Sequence, residues 1–122
     1  MTTERSFPGS VNAVGQARRF ILDTISGIDP EVADEIAIMV SELTTNSVRH
    51  ASTPFTLTID KTPREIYVAV TDNGPGAPVV RDPTPSEFTG RGLQIVRALA
   101  RRWGVRFAAG TPGKTVWFTM EY

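Results

Sequence analysis

The stretch that most constrains the fold is an apolar segment that stops at a carboxylate and then breaks into glycine. Ile66 to Val70 is a dense apolar run, and Asp72-Asn-Gly-Pro-Gly76 follows it after a single threonine. Such a run predicts a central strand of a sheet. The glycines allow a ligand to approach the main chain closely, beside one fixed carboxylate. Taken alone, however, Asp-Asn-Gly favours an ordinary turn, so the rest of the chain has to decide.

Length and composition exclude several classes of protein. A chain of 122 residues predicts one domain, 1–122, with one hydrophobic core. A formal net charge of zero provides no global basic field for nucleic acid, and the absence of cysteine removes disulfides and thiolate chemistry. The single histidine argues against a zinc cluster. Because no apolar run approaches a membrane span and the N-terminus has no apolar signal core, we expect a cytoplasmic protein.

Two amphipathic helices are predicted in the first half of the chain. Val11 to about Ile25 has apolar residues at helical spacing after Ser10, a plausible N-cap, and residues 1–10 are interpreted as an edge strand or a flexible segment. Asp29-Pro30 opens a second helix that is expected to run to about His50. The core-facing stripe of this second helix is predicted to contain Ile36, Val40, Leu43 and Ser47.

The second helix also carries polar side chains in one sector, next to its apolar stripe. With about 100° of rotation per residue, Glu42, Asn46 and Arg49 fall within roughly 60° of one another. His50 lies at the near edge of the same sector. A solvated helix surface explains any one of these residues, but four of them in register beside a buried stripe favour a site.

The middle of the chain predicts a strand pair that delivers Asp72, followed by a loop. Phe55 to Asp60 alternates between apolar and polar residues, and Glu65 to Thr71 is the denser strand of an antiparallel hairpin. Residues 77–89 contain three prolines and form a long loop, which is functional or mobile. Gly90-Arg91-Gly92-Leu93 then opens a helix, and the free N–H groups at such a start can bind an anion.

The end of the chain completes the predicted fold. The third helix is expected to continue to about Arg102, and Gly104 to turn the chain into a strand from Val105 to Ala109. A last strand covers Lys114 to Tyr122. This order predicts an α+β two-layer sandwich, with about three helices on one face of a mainly antiparallel mixed sheet.

Three motifs now stand in one order along the chain: Glu42 to His50 on a helix, Asp72 to Gly76 at a strand end, and Gly90 to Leu93 at a helix start. They resemble the N, G1 and G2 boxes of the GHKL ATPase and kinase superfamily, which has the Bergerat or HATPase-like ATP-binding fold. The resemblance covers about Val11 to Tyr122. The short length is most similar to the bacterial anti-sigma-factor serine/threonine-protein kinase branch.

The resemblance implies a site for ATP and Mg²⁺. Asp72 would accept a hydrogen bond from the adenine amino group, and Thr115 would support this contact through its hydroxyl. Asn46 would supply a neutral oxygen to Mg²⁺, with Arg49 and His50 near the phosphates. Close backbone approach to base and sugar, and further contacts to the phosphates, would come from Gly74, Gly76, Gly90, Arg91, Gly92 and Leu93.

The resemblance also implies a reaction and its partners. Glu42 would act as the general base of a kinase that phosphorylates a serine on a STAS-domain anti-anti-sigma protein. The same protein would bind a sigma factor and so regulate transcription, as a homodimer and without direct contact to nucleic acid or membrane. Residues 77–89 correspond to the ATP lid, with Arg81 as a candidate γ-phosphate contact, and the short lid is compatible with weak activity.

Two other functions stay open at this point. A non-catalytic, nucleotide-gated protein-binding module would need the same adenine-side groups, although the presence of Glu42 favours the kinase. The ATP-binding half of a split histidine kinase would also fit the three motifs, but the sequence contains no visible phosphoacceptor helix pair.

Overall fold

The structure, a computed structural model, describes residues 2–50, 53–73, 90–107 and 113–122. Within these ranges the chain forms three helices on one face of a five-stranded sheet. The helices are α1 (Val11–Thr24), α2 (Pro30–His50) and α3 (Gly90–Leu99), and the strands are β1 (Thr2–Phe7), β2 (Phe55–Lys61), β3 (Glu65–Asp72), β4 (Arg102–Phe107) and β5 (Lys114–Glu121). The predicted α+β two-layer sandwich is therefore confirmed.

The sheet has the strand order β1-β2-β3-β5-β4, and all four pairings are antiparallel. β3 lies in the middle, as its apolar density predicts. Its Val68 stands opposite Ile59 of β2 on one side and Phe118 of β5 on the other. The predicted hairpin of β2 and β3 is also confirmed, and it brings Asp72 to the end of the central strand.

One hydrophobic core lies between the sheet and the helices. Side chains alternate along each strand, so every second residue of β2, β3 and β5 is turned towards the helices, and apart from Lys61 and Lys114 these residues are buried. The predicted core stripe of α2 is confirmed, since all four of its residues are buried. Full burial of a large apolar side chain such as Phe118 contributes roughly 1.5–3 kcal/mol. None of the helices that the structure describes is long and apolar enough to cross a membrane.

The start of α2 shows why that element begins where the sequence predicts. Pro30 is its first residue, and the Asp29 carboxylate accepts a hydrogen bond from the backbone N–H of Glu31 at 3.1 Å. This bond satisfies one of the N–H groups that a helix start leaves without a partner. The cap thus sets the beginning of a 21-residue helix that reaches the end of the sheet.

The predicted boundary between the third helix and the fourth strand is wrong. α3 ends at Leu99, and β4 already begins at Arg102. Arg102 and Gly104, which the sequence assigns to a helix end and a turn, pair with Thr119 and Trp117 of β5. Pairing with a neighbouring strand overrides the local helical pattern here. The predicted end of this strand, Ala109, lies outside the described residues.

Candidate functional site

Asp72 is a buried carboxylate at the end of the central strand. It follows Val68 and Val70 on the face of β3 that is turned towards the helices, and it is only 2% exposed. A carboxylate in such a place raises the free energy of the folded state unless its oxygens find partners. The partners of its two oxygens therefore indicate what the site can bind.

One oxygen of this carboxylate is held by donors from two different elements. Ser47 Oγ on α2 donates to Asp72 Oδ2 at 3.0 Å, and Lys114 Nζ on β5 donates to the same oxygen at 2.9 Å. The Lys114 side chain is only 16% exposed, so the ion pair is largely shielded from water. Hydrogen bonds to charged groups contribute about 1.5–3 kcal/mol each. Together they set the orientation of the carboxylate and tie α2 to the sheet.

The other oxygen, Asp72 Oδ1, is buried and has no hydrogen-bond partner among the residues that the structure describes. An acceptor left in this state costs about 1–3 kcal/mol, and more when it is charged. Buried polar atoms are normally satisfied by protein, ordered water or a ligand. The unpaired oxygen Oδ1 of Asp72 thus fits a ligand that presents an N–H donor.

The backbone of the last strand comes very close to Asp72 at Gly113. A Cβ atom at Gly113 would lie 2.8 Å from the carbonyl oxygen of Asp72 and 3.6 Å from Cα of Asn73. The first distance is shorter than van der Waals contact, and the neighbour is main chain that cannot rotate away. Glycine is therefore required at position 113 for a steric reason, because any side chain there would clash with the main chain of Asp72.

Replacement of Gly113 by Ala is expected to lower the free energy of unfolding by about 1–3 kcal/mol, because the end of β3 must shift to admit the methyl group. The measurement is the urea midpoint, with an unchanged m-value as evidence that cooperativity is kept. Gly15→Ala in α1 is the matched control, since a Cβ there meets nothing within 4 Å. The control is expected to be neutral or stabilising by up to about 1 kcal/mol. A wild-type midpoint for Gly113→Ala would contradict the close approach.

α2 places the first predicted motif next to this carboxylate. Because Ser47 contacts Asp72, the last turns of α2 lie against the end of β3. Glu42 and Asn46 are half-buried one turn apart, and Arg49 is exposed. The side chain of His50, the last residue of the helix, lies outside the description.

The third motif forms the beginning of α3. Gly90 to Leu93 is its first turn, where backbone N–H groups have no partner within the helix and the positive end of the helix dipole lies. Leu93 is buried and anchors this turn in the core. The side chain of Arg91 and the residues Gly74, Gly76 and 77–89 lie outside the description.

Thr115 does not contact Asp72 and pairs with Thr71 instead, while its role on the adenine side stays a prediction. Thr115 stands opposite Thr71 in the register of β3 and β5, and their hydroxyl oxygens are 2.8 Å apart. Both lie on the sheet face away from the helices, because side chains alternate along a strand. The residue of β5 that is opposite Asp72 is Lys114.

Sequence reasoning missed two contacts of Asp72. Ser47 belongs to the predicted core stripe and is buried there, but its hydroxyl also donates to the carboxylate. Lys114 stands two and four residues before Val116 and Phe118, so the period of the strand places it on the core face. This alternation predicts that Lys114 faces the core. The local sequence does not indicate that its partner across the sheet is Asp72.

Comparison with protein families identifies the class of this domain as GHKL. The model of the histidine kinase-like ATPase domain matches residues 7–120, so the chain belongs to this family. Membership confirms the resemblance seen in the three motifs and implies that the domain binds ATP.

A solved structure shares the fold. It is the crystal structure of the RsbU and RsbW domains of Rv1364c from Mycobacterium tuberculosis, with 19% sequence identity and a TM-score of 0.72. The match covers 98% of this chain and 32% of the Mycobacterium tuberculosis chain. The present chain thus spans about a third of that protein, and at this identity the likeness shows the fold.

Proposed function

We propose that the protein is a serine/threonine-protein kinase of the anti-sigma type, which transfers the γ-phosphoryl group of ATP to a serine of a STAS-domain anti-anti-sigma protein. The observation that carries the proposal is the half-paired carboxylate of Asp72. An ionised acceptor in a buried place suits the 6-amino group of adenine. It disfavours guanine, because guanine presents a carbonyl oxygen at that position.

The phosphate side of the site is proposed on position and chemistry. The free N–H groups of Gly90, Gly92 and Leu93 at the start of α3 would bind phosphate oxygens. Arg49 on the exposed side of α2 would add positive charge. His50, Gly74, Gly76 and Arg91 belong to the proposal through their sequence motifs.

Mg²⁺ fits the residues that are present. The ion keeps several waters and phosphate oxygens as ligands, so one protein oxygen is sufficient. The half-buried amide of Asn46 offers that oxygen without adding a charge. Among the described residues no group of three His, Cys, Asp or Glu could hold a metal, which agrees with a site that relies on ATP for its other ligands. When bound, the ion would neutralise charge on the transferred phosphoryl group.

Glu42 would supply the general base. It lies one helical turn before Asn46, on a helix that Ser47 holds against Asp72. Its carboxylate would accept the proton of the serine hydroxyl while the hydroxyl oxygen bonds to the γ-phosphorus. The bond from that phosphorus to the bridging oxygen breaks, and ADP leaves with the electron pair.

The partners are proposed on the resemblance to the anti-sigma branch, with support from the fold shared with a structure that contains an RsbW domain. The protein would act in the cytoplasm as a homodimer and bind a sigma factor through its surface.

The proposal is tested by incubation of the purified protein with γ-labelled ATP, Mg²⁺ and a STAS-domain protein from the same organism. We expect acid-stable label on one serine of the STAS domain, located by mass spectrometry. Acid-labile label would indicate transfer to histidine and would reject the serine kinase. ATP binding without any transfer would instead indicate a nucleotide-gated binding module.

A further inference from the structure

Lys114 is placed where a nucleobase would meet Asp72. The two residues are directly opposite each other in the β3–β5 register and share the face towards the helices. Lys114 Nζ lies 2.9 Å from Asp72 Oδ2, the oxygen adjacent to the orphaned Oδ1. The ammonium group, a strong donor, is thus bonded to one oxygen of the carboxylate, and the other oxygen of the same carboxylate is the unpaired acceptor.

The ammonium group of Lys114 has hydrogen-bonding capacity to spare. It carries three N–H donors. Its bond to Asp72 is the only hydrogen bond that it makes to a described residue. Because the side chain is 16% exposed, bulk water has limited access to the other two donors. A largely buried donor with spare N–H groups, next to an unpaired buried acceptor, forms a complementary pair of ligand contacts.

We propose that Lys114 reads the nucleobase directly, by donating a hydrogen bond to N1 of adenine while Asp72 Oδ1 accepts one from the 6-amino group. The inference rests on the proposed ATP site and deepens it. Adenine presents this acceptor and this donor on adjacent ring positions, which matches the adjacent arrangement of the ammonium group and Oδ1. Both contacts would be charge-assisted and therefore stronger than neutral hydrogen bonds.

The pair of contacts makes the site selective at two atoms. Guanine has a carbonyl oxygen at position 6 and an N–H group at position 1, which reverses both polarities. Asp72 would then face an acceptor and Lys114 would face a donor. Buried polar groups that are left unpaired by the wrong ligand cause large discrimination. With Lys114, the pocket therefore distinguishes adenine from guanine at two positions of the ring, 1 and 6, instead of at one.

A merely structural role for Lys114 predicts a different result. Lys114 could act only by orienting Asp72, as Ser47 does from the other side. In that case its loss would weaken every nucleotide with a 6-amino group by the same factor. A direct contact, by contrast, makes the effect of Lys114 depend on the presence of N1.

The experiment is a cycle of two proteins and two nucleotides, with dissociation constants measured by calorimetry. The nucleotides are ATP and 1-deaza-ATP, in which a C–H group replaces N1 and the 6-amino group is kept. Wild type is expected to bind 1-deaza-ATP about tenfold or more weakly than ATP. Lys114→Met is expected to bind ATP about tenfold more weakly than wild type and to bind the two nucleotides equally. GTP should bind wild type far more weakly than ATP.

The control is Lys61→Met, a change at the only other lysine of the chain. Lys61 stands opposite Ile66, at the end of the β2–β3 pair remote from Asp72, and its ammonium lies 5.6 Å from the centre of the Tyr122 ring. This variant should show the wild-type preference for ATP over 1-deaza-ATP.

Three results would overturn the inference: equal binding of the two nucleotides by wild type, equal losses for both in Lys114→Met, or GTP binding as tight as ATP binding. The first and third need no variant, so the test holds even if Lys114→Met does not fold. If wild type binds none of these nucleotides, the proposed function itself fails. Failure of the inference about Lys114 can therefore be distinguished from failure of the proposed function.

Discussion

Replacement of Asp72 by Asn is expected to abolish ATP binding while the fold is retained. Oδ2 of Asp72 accepts from both Ser47 and Lys114, so the amide oxygen of the new residue will occupy that position. The amide NH₂ group must then take the place of Oδ1. A donor would face the donor of the adenine amino group, and the contact would become repulsive rather than merely absent.

The measurement is thermal unfolding with and without ATP and Mg²⁺. At a ligand concentration of about 100 times Kd, binding stabilises the native state of wild type by about 2.7 kcal/mol. Asp72→Asn should show no increase in Tm with ATP. Without ATP it should lose about 1–3 kcal/mol, because Lys114 then faces a neutral amide in a largely buried place.

Asp34→Asn is the matched control for Asp72→Asn. Asp34 is exposed on α2, so the same chemical change there should leave both the Tm and its increase with ATP unchanged. Wild-type stabilisation of Asp72→Asn by ATP would show that the nucleobase is not recognised at this carboxylate. The candidate site would then be wrong, whatever the reaction.

Replacement of Glu42 by Gln is expected to reduce phosphoryl transfer by about 10²–10⁴-fold without weakening ATP binding. Glutamine has nearly the same shape but cannot accept the proton of the serine hydroxyl. Asp72, Ser47 and Lys114, which define the adenine side, stay as they are. The loss should therefore appear in the rate of transfer and not in the dissociation constant for ATP.

The rate is measured with a saturating STAS-domain protein in single-turnover conditions, and the dissociation constant by calorimetry. Glu31→Gln is the control, because Glu31 is an exposed glutamate in the first turn of the same helix. It removes the same charge from α2 without touching the site. Wild-type transfer by Glu42→Gln would remove the general-base role from Glu42 and leave positioning and charge neutralisation as the sources of catalysis.

Much of the fold follows from patterns that lie within one element. The Asp29-Pro30 pair predicts where α2 begins, because capping and the missing N–H of proline act within a single turn. The apolar density of β3 predicts its central place in the sheet. The order of the three motifs predicts the family, which the family comparison confirms over residues 7–120.

The error in the boundary of α3 and β4 arises where pairing with another strand determines the local structure. Local patterns assign Arg102 to the end of a helix and Gly104 to a turn, yet both residues pair with β5, because β5 offers hydrogen bonds that the local pattern cannot anticipate. Gly104 also lies under the Trp117 ring, where a Cβ would come within 2.8 Å of the indole nitrogen. Its glycine reflects packing across the sheet rather than a turn.

The sequence by itself determined the class of fold, the carboxylate at the strand end and the helix that faces it. Only the tertiary structure decided that Lys114 and Ser47, and not Thr115, are the partners of Asp72. The physical reason is the pleat: neighbouring residues of a strand point to opposite faces, so a difference of one position moves a side chain through the sheet. Register is set by pairing between strands that are about 40 residues apart, and that pairing leaves one carboxylate oxygen without a partner.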